Sequence, residues 1–164
     1  MIVLGIDPGT AVTGYGIVKL DGRKHIALDY GCIRPPRKAL TSHRRRLIFE
    51  SLCTLIDRFS PDAIAIETQY VRQNVSTALT LGRTQGCAVL AGTLHDIPVF
   101  EYAPSKAKQA VSGSGRASKE QVMRMTKTLL GLPKLPAEDA ADALALALCH
   151  LHATTSKLTL GTQV

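Results

Sequence analysis

Short apolar runs, interrupted by turn residues, predict five β-strands in this chain. Each run is too short for a helix and ends at glycine, proline or an acidic residue. Asp21-Gly22 lies between the second and third runs, and this dipeptide is typical of a tight β-hairpin. The predicted strands are Ile2–Asp7, Gly14–Leu20, His25–Ile33, Ala63–Glu67 and Val99–Tyr102.

Longer segments with apolar residues every three or four positions predict helices between and after these strands. Thr41 or Ser42 is a candidate N-cap for the first of them, and Ser118 with Gln121 forms a capping-box pattern. Five helices are predicted: from Thr41 or Ser42 to about Phe59, from about Asn74 to Leu94, over Ser105–Val111, over Ser118–Leu130, and within Pro136–His152.

The resulting order, βββαβαβααα, predicts an α/β fold. Three antiparallel strands followed by two parallel ones form a mixed five-stranded sheet with helices on both faces. We expect residues 1–153 to form one domain, since no linker or repeat interrupts them. The segment 154–164 has no packing pattern and is predicted to be a flexible tail.

Composition narrows the class of protein. The 164 residues are 45% hydrophobic and 20% charged, as in ordinary globular proteins. No apolar run is long enough to span a bilayer, and the N-terminus lacks the basic region of a secretory signal, so we expect a cytoplasmic protein without a membrane partner. The four cysteines form no CxxC pair, and their apolar surroundings predict buried free thiols.

Excess positive charge points to a polyanionic partner. The formal net charge is +7, and basic residues cluster at Arg34/Arg37/Lys38, at His43–Arg46 and between Ala103 and Lys134. A solvated basic face explains many such clusters. Their occurrence on several separate elements favours nucleic acid as the partner.

Four acidic residues are poorly explained as ordinary solvent-exposed charges. Asp7 and Glu67 each end an apolar strand, and acids at the ends of parallel neighbours leave the same edge of the sheet. Asp139 and Asp142 share one face of the last helix; the helix dipole accounts for an acid at its start, but not for Asp142 among alanines and leucines. If that helix crosses the sheet edge, four carboxylates converge, and hard divalent cations such as Mg²⁺ relieve their repulsion. A basic surface beside such a cleft predicts a nuclease.

Five motifs in order along the chain resemble the RuvC-type Holliday-junction resolvases. They are GIDPGTAVTGYGIV at 4–17, AIETQYV at 65–71, STALTLGRTQG at 76–86, YAPSKAKQAVSGSGRASKEQV at 102–122 and DAADALALALCH at 139–150. The resemblance implies a ribonuclease-H-like fold and a homodimer that nicks two strands of like polarity across a four-way DNA junction. It also implies Mg²⁺ as cofactor and coupling to a branch-migration complex of RuvA and RuvB type. Two ions per subunit suit phosphodiester hydrolysis, and the sequence leaves open one ion in place of two and Mn²⁺ in place of Mg²⁺.

By position, the resemblance assigns catalysis and metal binding to Asp7, Glu67, Asp139 and Asp142. It also implies DNA-binding roles, with Tyr70 stacking on an unpaired base near the crossover and Lys108 and Lys119 near the scissile phosphate. An ordinary half-buried tyrosine and generic phosphate contacts are the plainer alternatives. The full set of predicted DNA-binding residues is Tyr70, Arg72, Lys106, Lys108, Arg116 and Lys119.

Small residues recur every four positions in the predicted helix after Glu67, at Ala78, Gly82 and Gly86. They serve either packing on the protein's own sheet or, as the resemblance implies, a dimer contact between two such helices.

Three rival functions remain to be weighed. An ATPase with a GIDPGT phosphate loop needs a second lobe, for which the chain is too short; the other two are a related nuclease for RNA precursors and a catalytically silent binder of branched DNA.

Overall fold

The computed structural model describes residues 1–68, 75–155 and 160–164. They form one mixed sheet of six strands in the spatial order β3-β2-β1-β4-β5-β6. Strand β1 is antiparallel to β2 and parallel to β4, and β5 continues the parallel part beside β4. The strands are β1 (Ile2–Asp7), β2 (Thr13–Asp21), β3 (Lys24–Ile33), β4 (Ala63–Glu67), β5 (Val99–Tyr102) and β6 (Thr162–Gln163).

Five helices cover this sheet, in agreement with the predicted order of elements. They are α1 (Thr41–Phe59), α2 (Val75–Leu94), α3 (Pro104–Ser112), α4 (Lys119–Leu130) and α5 (Glu138–Thr155). The predicted capping box is present at the start of α4, where Ser118 and Gln121 exchange side-chain-to-backbone hydrogen bonds. At α1 the prediction was wrong, because Leu40 is the N-cap residue and no side chain caps the helix. None of the described helices combines the length and apolar character that a bilayer crossing requires.

Two apolar cores lie on opposite faces of the sheet. One core joins Leu4 and Ile6 of β1 to α1 and α2, through residues such as Leu52 and Ala88. The other joins alternate strand positions, Val3 among them, to α3, α4 and α5. Because side chains alternate along a strand, the two cores together bury both faces of the central strands.

The sixth strand corrects the predicted five-stranded sheet. Thr162 and Gln163 pair antiparallel with β5, and the Val164 N–H donates to the Val99 carbonyl. The segment 154–164, predicted to be a flexible tail, therefore includes an edge strand, while its residues 156–159 lie outside the described part of the chain. Two residues are too few to show an alternating pattern, and so no local signal predicts this strand.

All four thiols are free, but only Cys149 is fully buried. The other three, Cys32, Cys53 and Cys87, are half-buried, which corrects the prediction of uniformly buried thiols. Burial raises the pKa of the Cys149 thiol to about 11, since the thiolate would lose its hydration there. A protonated thiol is a poor nucleophile and a poor metal ligand, so Cys149 belongs to the core.

Candidate active site

Strand pairing places Asp7 and Glu67 side by side on the face covered by α5. The parallel register sets Ile6 opposite Ile66, and the two acids follow directly on their strands. Ile6 and Ile66 point into the core beneath α1 and α2. The two-residue alternation of a strand therefore turns the next side chains, the two carboxylates, toward α5.

Glycines let the backbone of α5 lie directly on the sheet beside these acids. A Cβ atom at Gly14 would overlap the carbonyl oxygen of Asp139, and one at Gly5 would overlap that of Ala143. Gly14 is also the antiparallel partner of Asp7 in the sheet. The start of α5 is thus set over the end of β1, which brings Asp139 and Asp142 toward the two strand acids.

The electrostatic coupling of Asp7 to the other three carboxylates agrees with their placement around one cleft. Burial, and then the negative charges of Glu67, Asp142 and Asp139, raise the pKa of Asp7 from an ordinary 3.8 to about 7, against an opposing effect of Lys119. Burial also raises the pKa of Glu67, with a further contribution from Asp142. The charged form of Asp7 is therefore disfavoured unless a cation compensates it.

Two lysines supply positive charge to this cleft. Burial raises the pKa of Asp142, while Lys119 and Lys108 oppose that rise. Lys108 is half-buried and lines a small pocket of about 30 Å³ together with Glu67 and Asp142. Both lysines predicted to act near the scissile phosphate are therefore placed beside the acids.

The other predicted DNA-binding residues are not gathered at the acids. Lys106 is exposed on α3, and its charge acts on Cys149, which lies seven residues beyond Asp142 on α5. Arg116 is exposed in the connection between α3 and α4. Tyr70 and Arg72 lie outside the described residues.

The donor chemistry of the cleft suits a hard divalent cation. All four acidic side chains offer carboxylate oxygens, which Mg²⁺ and Mn²⁺ prefer. The raised pKa values of Asp7, Glu67 and Asp142, caused first by burial and then by neighbouring carboxylates, show that protein groups do not fully compensate their charge. Across the described part of the chain, no three His, Cys, Asp or Glu side chains are already arranged to enclose an ion. The acids therefore line a shared cleft without forming a closed cage.

The sequence did not reveal two contacts around the cleft. Glu138 reads as a helix-start acid that points away, but its carboxylate accepts a hydrogen bond from Lys119 Nζ. Arg44 reads as one of a run of surface cations, but its guanidinium donates to the carbonyl of Thr10, in the loop that follows Asp7. Both contacts join segments far apart in the chain, and no local spacing signals them.

The sheet order and the placement of the acids define a class of protein. Three antiparallel strands continue into parallel β4 and β5, acids end the two central parallel strands, and a helix crosses their carboxyl edge with two more acids. This is the arrangement of a ribonuclease-H-like nuclease, and it agrees with the fold class predicted from the sequence.

Comparison with known proteins identifies the family within that class. The sequence model of the protein family described as crossover junction endodeoxyribonuclease RuvC matches residues 3–150 of this chain. The RuvC of Protochlamydia amoebophila is 51% identical over 152 residues, covering 92% of this chain and 90% of that protein. The RuvC of Trichlorobacter lovleyi is 47% identical over 164 residues, covering 100% and 92%. The chain belongs to the RuvC family of crossover junction endodeoxyribonucleases.

Solved structures agree with this assignment. The structure of Thermus thermophilus RuvC in complex with a Holliday junction substrate superposes with a TM-score of 0.92 at 32% identity, covering 100% of this chain and 99% of that one. The yeast mitochondrial Holliday junction resolvase Ydc2 superposes with a TM-score of 0.64 at 17% identity, over 90% of this chain and 76% of its own. The second likeness is one of fold alone.

Proposed function

We propose that this chain, a crossover junction endodeoxyribonuclease by family, resolves four-way DNA junctions at the cleft formed by Asp7, Glu67, Asp139 and Asp142. The observation that carries this proposal is the burial of Asp7 together with its coupling to the other three acids, which raises its pKa to about 7. A protein gains nothing for its own stability from burying uncompensated carboxylates together. A site that binds a divalent cation explains why they are there.

The same four carboxylates are the proposed ligands of Mg²⁺, with two ions per subunit and Mn²⁺ as an alternative. When bound there, two such ions supply an activated water and stabilise the leaving oxygen of a phosphodiester. Asp7 and Glu67 hold their positions from rigid strand ends, and Asp139 and Asp142 from a helix seated on the sheet. Ligands on regular elements keep the geometry that hydrolysis requires.

The proposed DNA contacts fall into two groups. Lys108 and Lys119, beside the acids, bind the phosphate to be cut and lower the local negative potential that would repel it. Lys106 and Arg116, exposed on the same side of the sheet, bind the backbone of a junction arm. For Tyr70 and Arg72 the resemblance alone supports base stacking and a DNA contact.

A homodimer is the proposed assembly, with contact through α2. Gly82 and Gly86 are exposed, and a Cβ atom on either would meet nothing within 4 Å, so neither glycine is needed for packing in the protomer. Leu79, Leu90 and Leu94 of the same helix are 56%, 52% and 62% exposed. A second copy of α2 would cover this apolar stripe about a two-fold axis and set two clefts on strands of like polarity. Coupling to a branch-migration complex, and a cytoplasmic location, complete the proposal.

A nicking assay tests the proposed activity and its rivals. A synthetic four-way junction, a linear duplex and an RNA–DNA hybrid are incubated with the protein, with and without Mg²⁺. We expect symmetric nicks in the junction only, and only with the metal. Preferred cutting of the hybrid would favour the RNA-precursor nuclease, and tight junction binding without cutting would favour the silent binder.

Two variants assign that activity to the cleft. Asp7→Asn should abolish nicking, because it removes a carboxylate ligand of the proposed metal ion. Junction binding should stay largely intact, because the variant keeps all the basic side chains that are proposed to bind DNA. The matched control is Asp21→Asn, which neutralises an exposed acid in the β2–β3 hairpin. Nicking by Asp7→Asn at the normal rate would refute the proposed site.

A further inference from the structure

The loop that follows Asp7 is fixed by two hydrogen bonds to its own carbonyls. Residues 8–12 connect β1 to β2 directly behind the acid. The hydroxyl of Thr13, which is fully buried, donates to the Gly9 carbonyl at 2.7 Å. The second bond comes from Arg44, 34 positions away, whose Nη2 donates to the Thr10 carbonyl.

Arg44 reaches this loop from the other side of the sheet. It lies in the first turn of α1, where its backbone N–H donates to the Leu40 carbonyl at 3.0 Å. Helix α1 covers the face opposite to α5, and so opposite to the carboxylates. The guanidinium therefore contacts the loop from behind, while the acids face the cleft in front.

The stability of α1 does not explain an arginine at this position. The side chain is half-buried, and its Nε is fully buried without a hydrogen-bond partner among the described residues. An unsatisfied buried donor destabilises the folded state, which an apolar residue at the same place would avoid. The neighbouring Arg45 is also half-buried with a buried, unpartnered Nε, whereas His43 and Arg46 are exposed; the hydrogen bond to the loop is what sets Arg44 apart.

We propose that Arg44 is a positioning residue for junction cleavage, which holds the 8–12 loop and thereby fixes the carboxylate of Asp7. The proposal rests on the proposed role of Asp7 in the cleft. A planar guanidinium on a carbonyl restricts both the position and the direction of that loop, which the single flexible ammonium of lysine does not. Misplacement of a catalytic group by about 1 Å can cost roughly 100-fold in rate, so a contact behind the cleft suffices to control the reaction.

Arg44→Ala and Arg44→Lys test the proposal, with Arg58→Ala as the matched control. Arg58 lies on the same helix and is exposed, with a 3.9 Å ion pair to Asp29. The measurements are the single-turnover nicking rate of a synthetic junction in Mg²⁺, the junction Kd in EDTA, and the melting temperature. We expect both Arg44 variants to nick roughly 10- to 100-fold more slowly. Their Kd should stay within about twofold of the wild type, because the guanidinium faces a backbone carbonyl and not the DNA.

Chemical rescue separates positioning from a general loss of structure. Millimolar guanidinium chloride, far below denaturing concentrations, should restore part of the nicking rate of Arg44→Ala, whereas the same concentration of NaCl should not. Arg44→Lys keeps the charge and keeps the experiment informative if the alanine variant does not fold.

Several results would overturn the proposal. An unchanged nicking rate in both variants would show that the contact has no role. A rise in Kd that accounts for the whole loss of rate would make Arg44 a DNA contact. A loss of rate that tracks the melting temperature and is not rescued would make it merely structural. These outcomes are separate from the failure of the proposed site, which appears as normal nicking by Asp7→Asn while the Arg44 variants are slow.

Discussion

Neutralising Asp7 should make the metal-free protein more stable at neutral and alkaline pH. Burial and three neighbouring carboxylates raise the pKa of Asp7 from 3.8 to about 7. The folded state therefore binds this proton more tightly than the unfolded state does, so stability falls as the pH rises from about 4 to about 7 and is level above that. Asp7→Asn removes the charge and keeps nearly the same shape.

The size of the effect follows from the pKa difference. At about 1.4 kcal/mol per pH unit, the interval from 3.8 to about 7 corresponds to about 4 kcal/mol at pH 8. That figure is an upper limit, because water and small rearrangements relieve part of the repulsion. We expect Asp7→Asn to raise the free energy of unfolding by about 2–4 kcal/mol at pH 8 and by little at pH 4. Loss of one charge also lowers the repulsion on Glu67, which acts in the same direction.

Urea unfolding in EDTA at several pH values measures this difference directly. The quantity to compare is the variant's gain over the wild type at each pH, since ionisable groups outside the cleft contribute equally to both proteins. Asp21→Asn is the control and should show no such trend. Added Mg²⁺ should stabilise the wild type by about 3 kcal/mol at 100 times its dissociation constant, and Asp7→Asn by much less.

Two results would refute the reasoning. A gain that does not change between pH 4 and pH 8 would mean that the effect of Asp7→Asn is not electrostatic. Equal stabilisation of both proteins by Mg²⁺ would mean that the ion binds elsewhere. The first result would refute the charge coupling of Asp7, and the second would refute the placement of the metal site at these acids.

Three further changes test other parts of the proposal. Lys108→Ala should slow nicking by about 100-fold with a much smaller change in junction Kd, since we propose that this cation contacts the scissile phosphate; equal losses in both would contradict that role. Glu138→Gln frees Lys119 from an exposed ion pair, so the free energy of unfolding should change by less than about 1 kcal/mol. Junction affinity, measured in a salt titration, should increase; unchanged affinity would count against Lys119 as a phosphate contact. Gly86→Leu should leave the protomer folded, as nothing lies near its Cβ position, and yield monomers in sedimentation; an intact dimer would place the interface elsewhere.

The sequence predicted most of the fold because its elements carry strong local signals. The hairpin at Asp21-Gly22, the capping box of α4 and the apolar strands all have the predicted positions, within one or two residues. The signals failed where structure depends on a few backbone contacts. The short strand β6 is held by pairing to β5, and the N-terminus of α1 has no side-chain cap.

The candidate site was predictable only as a set of acids. Their position at the ends of strands and on one helix face indicated that they belong together, and the structure brings them to one cleft. How closely α5 packs on the sheet was not predictable, because the close packing depends on glycines in the strands. A Cβ atom at these glycines would overlap the helix backbone. The contacts of Arg44 and Glu138 were missed for a similar reason, because each joins distant segments without a local pattern.

The composition of α5 shows how the protein can hold a cleft that its own charges destabilise. Twelve of its residues are buried, nearly all alanine or leucine, so the helix is anchored in the core over most of its length. Small side chains and the glycines beneath them allow close packing of backbone on backbone. The repulsion among the acids is confined to the first turns of this helix and two strand ends, elements whose remaining residues are fixed by that core. We therefore expect the cleft to stay assembled without a cation, so that binding of one relieves the repulsion and does not have to organise the site.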